Sequence, residues 1–224
     1  MRTSGVSVEP LYAFNGKRLW NQVFFEGVRV PVANRLGDEN RGWSVAKSLL
    51  GDERLMVSRV AENKRLLGVI GEVLAAEPGN DSKTGEALAA HNYYRSRLNT
   101  LEIRLQALEM TSLRLLLEAD AGAAVGAEPS MLKLKGSELV QAMDELLFEA
   151  VGHWAIPLDE TTQKRILAAR AAEGDRFEDD AAAFPGPRHA EYVASGRYHH
   201  RGYTIAGGSS EVQHNIIAKA VLGL

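Results

Sequence analysis

The spacing of apolar residues changes character near Gly37. Before it, Val6 and Val8 alternate with polar neighbours, Asn15-Gly16 marks a turn, and Trp20–Phe25 leads past Glu26-Gly27 to Val28, Val30 and Pro31. Period-two alternation bounded by turn residues predicts strands over residues 5–31. Pro31 and the polar stretch Asn34–Arg41 read as a connector. From Gly42 onward the period becomes helical. A first helix is expected from Trp43 to Leu74, with Val45, Leu49, Met56, Val60, Leu67, Ile70 and Leu74 on one face and Pro78-Gly79-Asn80 as its stop. A second is expected from Lys83 to Asp120, with a seam at Leu98, Leu101, Leu105, Leu108 and Leu115. A third begins after Pro129, carries Leu139, Met143, Leu146, Leu147 and Ala150, and stops at Gly152. A loop with Pro157, Pro185 and Pro187 leads to a shorter helix over Ala190–Tyr203. The final helix follows Gly207-Gly208 and uses Val212, Ile216 and Ala220.

Long amphipathic helices with short connections predict a mainly α fold, an antiparallel four-helix bundle preceded by a short β-segment. The boundary falls at 36/37: residues 1–36 form the β-segment and residues 37–224 the bundle. The helical seams suit an intramolecular core and equally a face packed on a second subunit.

Composition narrows the function classes. The 224 residues, 45% hydrophobic and 25% charged, suffice for one large domain or a domain with an appended fragment. With 26 basic against 29 acidic residues and no basic stripe, nucleic acid is not an expected partner. There is no cysteine, which excludes disulfides, thiolate metal sites and cysteine nucleophiles. No apolar run is long enough for membrane insertion and the N-terminus lacks the apolar core of a signal peptide, so a cytoplasmic location is expected. No phosphate-binding Walker loop, zinc motif or Gly-x-Ser-x-Gly elbow occurs.

Two segments carry candidate chemistry. In Leu50-Gly51-Asp52-Glu53-Arg54, a continuous helix would put Asp52 inside the apolar arc, Glu53 just beyond its edge and Arg54 on the opposite face. A carboxylate beside a buried stripe must be neutralised, paired or in use; an ordinary structural pairing is the competing reading. In Ile205-Ala206-Gly207-Gly208-Ser209-Ser210-Glu211, glycines before a helix start expose backbone N–H groups at the positive end of the helix dipole. That arrangement suits a phosphate or an enolate oxygen, or serves only as a cap through Ser209 or Gly208. His199 and His200 are adjacent and read as surface residues. Glu211 and His214 form a Glu-x-x-His pair without a second copy, so no metal is expected.

Three ordered segments resemble the C-terminal part of the acyl-CoA dehydrogenase family. Met1–Val8 with Trp20–Pro31, and above all Val23–Pro31, looks like the end of the family's middle β-domain. Leu36–Trp43 resembles the entry to its helical domain, and Ile205–Leu224 its closing flavin-binding segment. Leu49–Arg54 and Lys133–Leu139 further resemble the bacterial branch acting on pimeloyl-CoA and steroid-CoA, whose members often assemble from two related subunits.

The resemblance implies FAD as cofactor, an acyl-CoA substrate, and electron-transfer flavoprotein as electron acceptor. A carboxylate removes the α-proton while the β-hydride passes to flavin N5. Many members carry that base where this chain has Gly207; others carry it on the first bundle helix, where this chain has Glu53. By resemblance, then, Glu53 is the base, Arg54, Gly207 and Gly208 bind substrate, and Ser209, Glu211 and Gln213 bind the cofactor. The family's arginine-containing pyrophosphate motif is absent, only Arg95 and Arg97 being offered within His91–Arg97. Its glutamine-double-glycine motif is altered to Glu149-Ala150-Val151-Gly152-His153. Those segments reach a neighbouring subunit's flavin in relatives, so a homo- or hetero-oligomer with only some sites filled is expected. The family's first domain and most of its β-domain have no counterpart, which implies a fragment, a misplaced start or a subunit completed by another chain. A non-catalytic structural partner of a dehydrogenase is the alternative function.

Overall fold

The structure, a computed structural model, describes residues 4–15, 17–46, 56–79, 86–123, 126–156, 187, 189–190 and 193–224. The alternating N-terminal residues form a two-stranded antiparallel hairpin, β1 (Val6–Tyr12) and β2 (Arg18–Phe25), in register from Val6 opposite Phe25 to Tyr12 opposite Arg18. The register slips at Leu11/Tyr12, a bulge that bends the ribbon. Val28–Val30, expected as a third strand, joins neither strand of the sheet among the described residues. Trp20, Phe24 and Phe25 stay exposed, because two strands cannot cover each other's faces. The hairpin is anchored at its turn. Asn15, 1% exposed, donates from Nδ2 to the Ser195 carbonyl at 3.3 Å, and Phe14 meets Tyr198 edge-on at 4.9 Å.

Residues 42–46 are helical, and five further α-helices follow among the described residues: α1 (Val60–Ala76), α2 (Asn92–Asp120), α3 (Glu128–Val151), α4 (Val193–His200) and α5 (Ser210–Ile217). The mainly helical architecture expected from the apolar spacing is the one observed. Helix α3 is its axis. Pro129 sits in its first turn, where the missing N–H costs nothing, and Gly152 closes it at φ 63°. Leu139, Met143, Leu146, Leu147 and Ala150 are all buried on it, and α1, α2, α4 and α5 pack around it. Full burial of side chains such as Leu139, Met143 and Leu146 contributes about 1.5–3 kcal/mol each. The expected α2 seam faces this core: Leu101, Leu105, Leu108 and Leu115 are buried and Leu98 packs at its margin.

Three expectations are corrected. The first helix does not run unbroken to Leu74, since Met56–Ser58 is a 3-10 turn and Arg59 is left-handed at φ 53° before α1 begins. The single helical arc used to place Asp52, Glu53 and Arg54 therefore does not extend across Arg59. The second helix begins at Asn92, not Lys83: the Pro78–Ala87 bridge and the 3-10 turn Leu88–Ala90 hold the chain in another conformation. Val212 on α5 and Ala220 in the π turn Ala218–Leu222 that follows it are exposed, Ile216 is half-buried, and the buried residue is Gln213. The apolar stripe of α5 is thus only partly covered by this chain.

Candidate active site

Asp52, Glu53 and Arg54 lie outside the described residues. The chain resumes at Met56–Ser58, which rests on α3 because residue 136 is glycine: a Cβ there would collide with the Ser58 carbonyl. Asn63, fully buried, donates to the Arg59 carbonyl at 3.0 Å and to the Gly136 carbonyl at 3.4 Å. The same turn meets the other nominated segment. Val57 Cγ1 lies 3.7 Å from the point a Cβ on Gly207 would occupy. Val57 and Gly207, separated by some 150 residues of chain, are neighbours at this point.

Gly207 and Gly208 have φ of 74° and 92°, a backbone region that side-chain-bearing residues rarely adopt. Both glycines are exposed, and their amides donate to no acceptor among the described residues. The loop is shaped from behind. Gln213 Nε2 donates to the Gly207 carbonyl at 3.1 Å and fills the space a Cβ on Gly208 would need. Ser209 is the N-cap of α5, its Oγ accepting from the Val212 N–H at 3.3 Å. Glu211, in the first turn, is held below the usual carboxylate range by its own backbone N–H and the Ser209 hydroxyl. Lys133, buried on α3, reaches the Thr204 carbonyl at 3.4 Å, and burial lowers its pKa.

A charged cluster that the sequence did not reveal lies between this loop and the start of α1. His200, expected on the surface, is 8% exposed. Its Nδ1 lies 2.8 Å from Asp144 Oδ2 on α3 and its Nε2 lies 3.5 Å from Glu62 Oε1 on α1. Tyr203 donates its hydroxyl to Glu62 Oε1 at 2.8 Å, and Arg59 pairs with Glu62 Oε2 at 3.0 Å. Burial alone would lower the imidazole pKa, but bonds to Asp144 and Glu62 outweigh it and raise it to about 9. The bond from His200, joined by Tyr203 and Arg59, lowers Glu62 to about 2 against its burial. Burial raises Asp144 and, with Glu62, Tyr203. The signal in sequence was an i, i+3 spacing of His200 and Tyr203, which identifies no partner on another helix.

At the other end, Arg97 on α2 pairs with Glu149 on α3, and Tyr93 donates to the same carboxylate at 2.8 Å. These positions, nominated as remnants of cofactor motifs, hold each other. Among the described residues no group of three or more His, Cys, Asp or Glu could hold a metal, and no helix is long and apolar enough to cross a membrane.

A two-stranded hairpin leads into a helical bundle, with a glycine loop set against the turn that precedes α1. Solved structures agree on that fold. The ChsE4-ChsE5 complex from Mycobacterium tuberculosis matches with a TM-score of 0.72 and 24% identity, over 100% of this chain and 51% of that one. The Tcur3481-Tcur3483 steroid ACAD matches with a TM-score of 0.74 and 21% identity, over 99% and 50%. The family described as "Acyl-CoA dehydrogenase, C-terminal domain" matches residues 40–177, and this chain belongs to the acyl-CoA dehydrogenase family. Among curated relatives, acyl-CoA dehydrogenase FadE26 of M. tuberculosis is 26% identical over 98% of this chain and 49% of its own length. FadE34 of the same organism is 26% identical over all of this chain and 26% of its own. The chain thus spans half or less of the relatives it matches.

Proposed function

We propose that this chain supplies the catalytic-base half of an FAD-dependent acyl-CoA dehydrogenase, within a larger assembly that oxidises the α,β-bond of an acyl-CoA thioester. The observation that carries the reading is the meeting of Val57 and Gly207, which brings a residue four beyond Glu53 beside the glycine loop. Removing a proton beside a thioester requires a base and a donor to the carbonyl oxygen that gains charge. Glu53 takes the α-proton, and the Gly207 N–H donates to the thioester oxygen. Arg54 contacts the CoA portion, and Gly208, lacking a Cβ, lets the acyl group approach the backbone.

Open amides at the start of α5, with no side chain projecting from the two glycines, fit the flat, oxygen-rich edge of a flavin. Ser209, Glu211 and Gln213 would hold FAD there, and FAD would supply the hydride acceptor, reoxidised by an electron-transfer flavoprotein. The active unit is a homo- or hetero-oligomer with a related dehydrogenase subunit. Its support is a second apolar row on α2, Ile103, Met110, Leu113 and Leu117, exposed on the side away from the buried seam. Residues 1–36 then belong to the β-domain and residues 37–224 to the bundle. The test is flavin bleaching by a range of acyl-CoAs in the assembled protein; bleaching that survives Glu53→Gln removes the assignment of the base.

A second reading, a structural partner that does no chemistry, is favoured by the Arg97–Glu149 pair, which neutralises a cation a flavin phosphate would otherwise use. Flavin absorbance that follows this chain's own glycine loop, lost in Gly207→Val, would exclude it.

A further inference from the structure

We propose that His200 is a positioning residue: clamped between Asp144 and Glu62, it ties the segment entering α1 to the turn that carries Gly207 and Gly208, and so sets how the two halves of the proposed site face each other. The inference rests on the proposed function. Its basis is the route of the contacts. On one side Glu62 and Arg59 open α1, directly after the Val57 turn that touches Gly207. On the other, His200 ends α4 and leads through the 3-10 turn Arg201–Thr204 to the glycine loop. Glu62 is the joint, receiving the Tyr203 hydroxyl at 2.8 Å, the Arg59 guanidinium at 3.0 Å and the His200 imidazole at 3.5 Å. The Arg59 guanidinium also stacks 3.5 Å from the Tyr203 ring centre, so a left-handed arginine is held from both ends.

Helix α3 provides the fixed wall. Asp144 receives His200 Nδ1, and Gln141 donates to the His200 carbonyl at 3.0 Å. Glu145, one residue on, binds Arg197 at 3.1 Å and Arg201 on either side of the histidine. The groups facing His200 are therefore Asp144 and Glu145 on α3, Arg59 and Glu62 on α1, and His199, Arg201 and Tyr203 around it, with Lys17 of the hairpin turn near His199. A buried carboxylate, Asp144, and a half-buried one, Glu62, against one imidazole make the cationic form the one that holds, and its loss leaves Asp144 without its cation while Glu62 keeps Arg59 and Tyr203.

The experiment compares wild type, His200→Gln and Glu53→Gln in the assembled, full-length dehydrogenase. It reads kcat and KM for acyl-CoA across pH and amide hydrogen exchange along the chain. His200→Gln is expected to lower kcat by ~10–10²-fold with KM little changed, the scale of a small misplacement of reacting groups. It should remove the alkaline fall in kcat near pH 9, and it should speed exchange jointly at 57–63 and 201–208 while α2 is unaffected. Unchanged exchange, loosening spread through α2, or joint loosening with normal kcat each overturns the proposal. Normal turnover by Glu53→Gln removes only the base assignment and leaves joint loosening to decide the clamp. Should His200→Gln fail to fold, Tyr203→Phe removes one bond to Glu62, keeps the ring beneath Arg59, and is judged by the same joint exchange and kcat criteria.

Discussion

The carbonyl of Ser58 occupies the space in which a Cβ on Gly136 would sit. This contact seats the turn before α1 directly on the central helix. It explains why an otherwise unfavourable glycine stands in the middle of α3, where helix propensity alone argues against it.

Gly136→Ala should therefore destabilise the protein by ~1–3 kcal/mol, the usual cost of forcing atoms into a filled site. Gly68 on α1 is the control, because a Cβ there meets nothing within 4 Å. Gly68→Ala should stabilise by about 0.5–1 kcal/mol. Urea midpoints of the two variants, moving in opposite directions, would check the contact.

For chemistry, Glu53→Gln should lower the rate of flavin reduction by ~10²–10⁴-fold or more, with acyl-CoA and flavin binding nearly intact. Asp52→Asn should cost far less. So should Glu211→Gln, since Glu211 is fully exposed and its carboxyl is held ionised at the start of α5. Single-turnover bleaching of the three variants ranks the carboxylates directly.

Stability should fall on the alkaline side through His200. Its pKa is raised from 6.5 to about 9 in the folded protein, so the stabilisation is complete below 6.5 and is lost as pH rises through about 9. The scale is about 3 kcal/mol. Glu62, lowered from 4.5 to about 2, contributes above 4.5 and loses its share as pH falls toward 2. Denaturation midpoints at pH 6, 8 and 10 should decline in wild type and stay flatter in His200→Gln.

Association should depend on the outer row of α2. Exchanging Met110 and Leu117, 60% and 71% exposed, for serine should weaken assembly while sparing the buried seam at Leu101, Leu105 and Leu108. Obligate interfaces bury well over ~1,600 Å², so the change should appear as a smaller particle in light scattering. An unchanged mass for the double variant would move the interface elsewhere.

The sequence alone determined the helical architecture, the core faces of α1, α2 and α3, and the stop at Gly152, because apolar spacing and glycine placement are local signals written every three or four residues. It also singled out the glycine loop before α5, since φ above zero leaves a residue-type signature. Tertiary structure decided what depends on distant partners. The break at Arg59 is held by its near neighbours Glu62 and Asn63 and, from 144 residues away, by the ring of Tyr203. On α5 the buried position is taken by Gln213, whose amide supports Gly207, while Val212 is exposed. His200 went from an expected surface residue to a buried cation only because α1 and α3 each bring a carboxylate to it. Burial and charge pairing are set by which helices meet, and residues 62, 144 and 200 meet only once the bundle has closed.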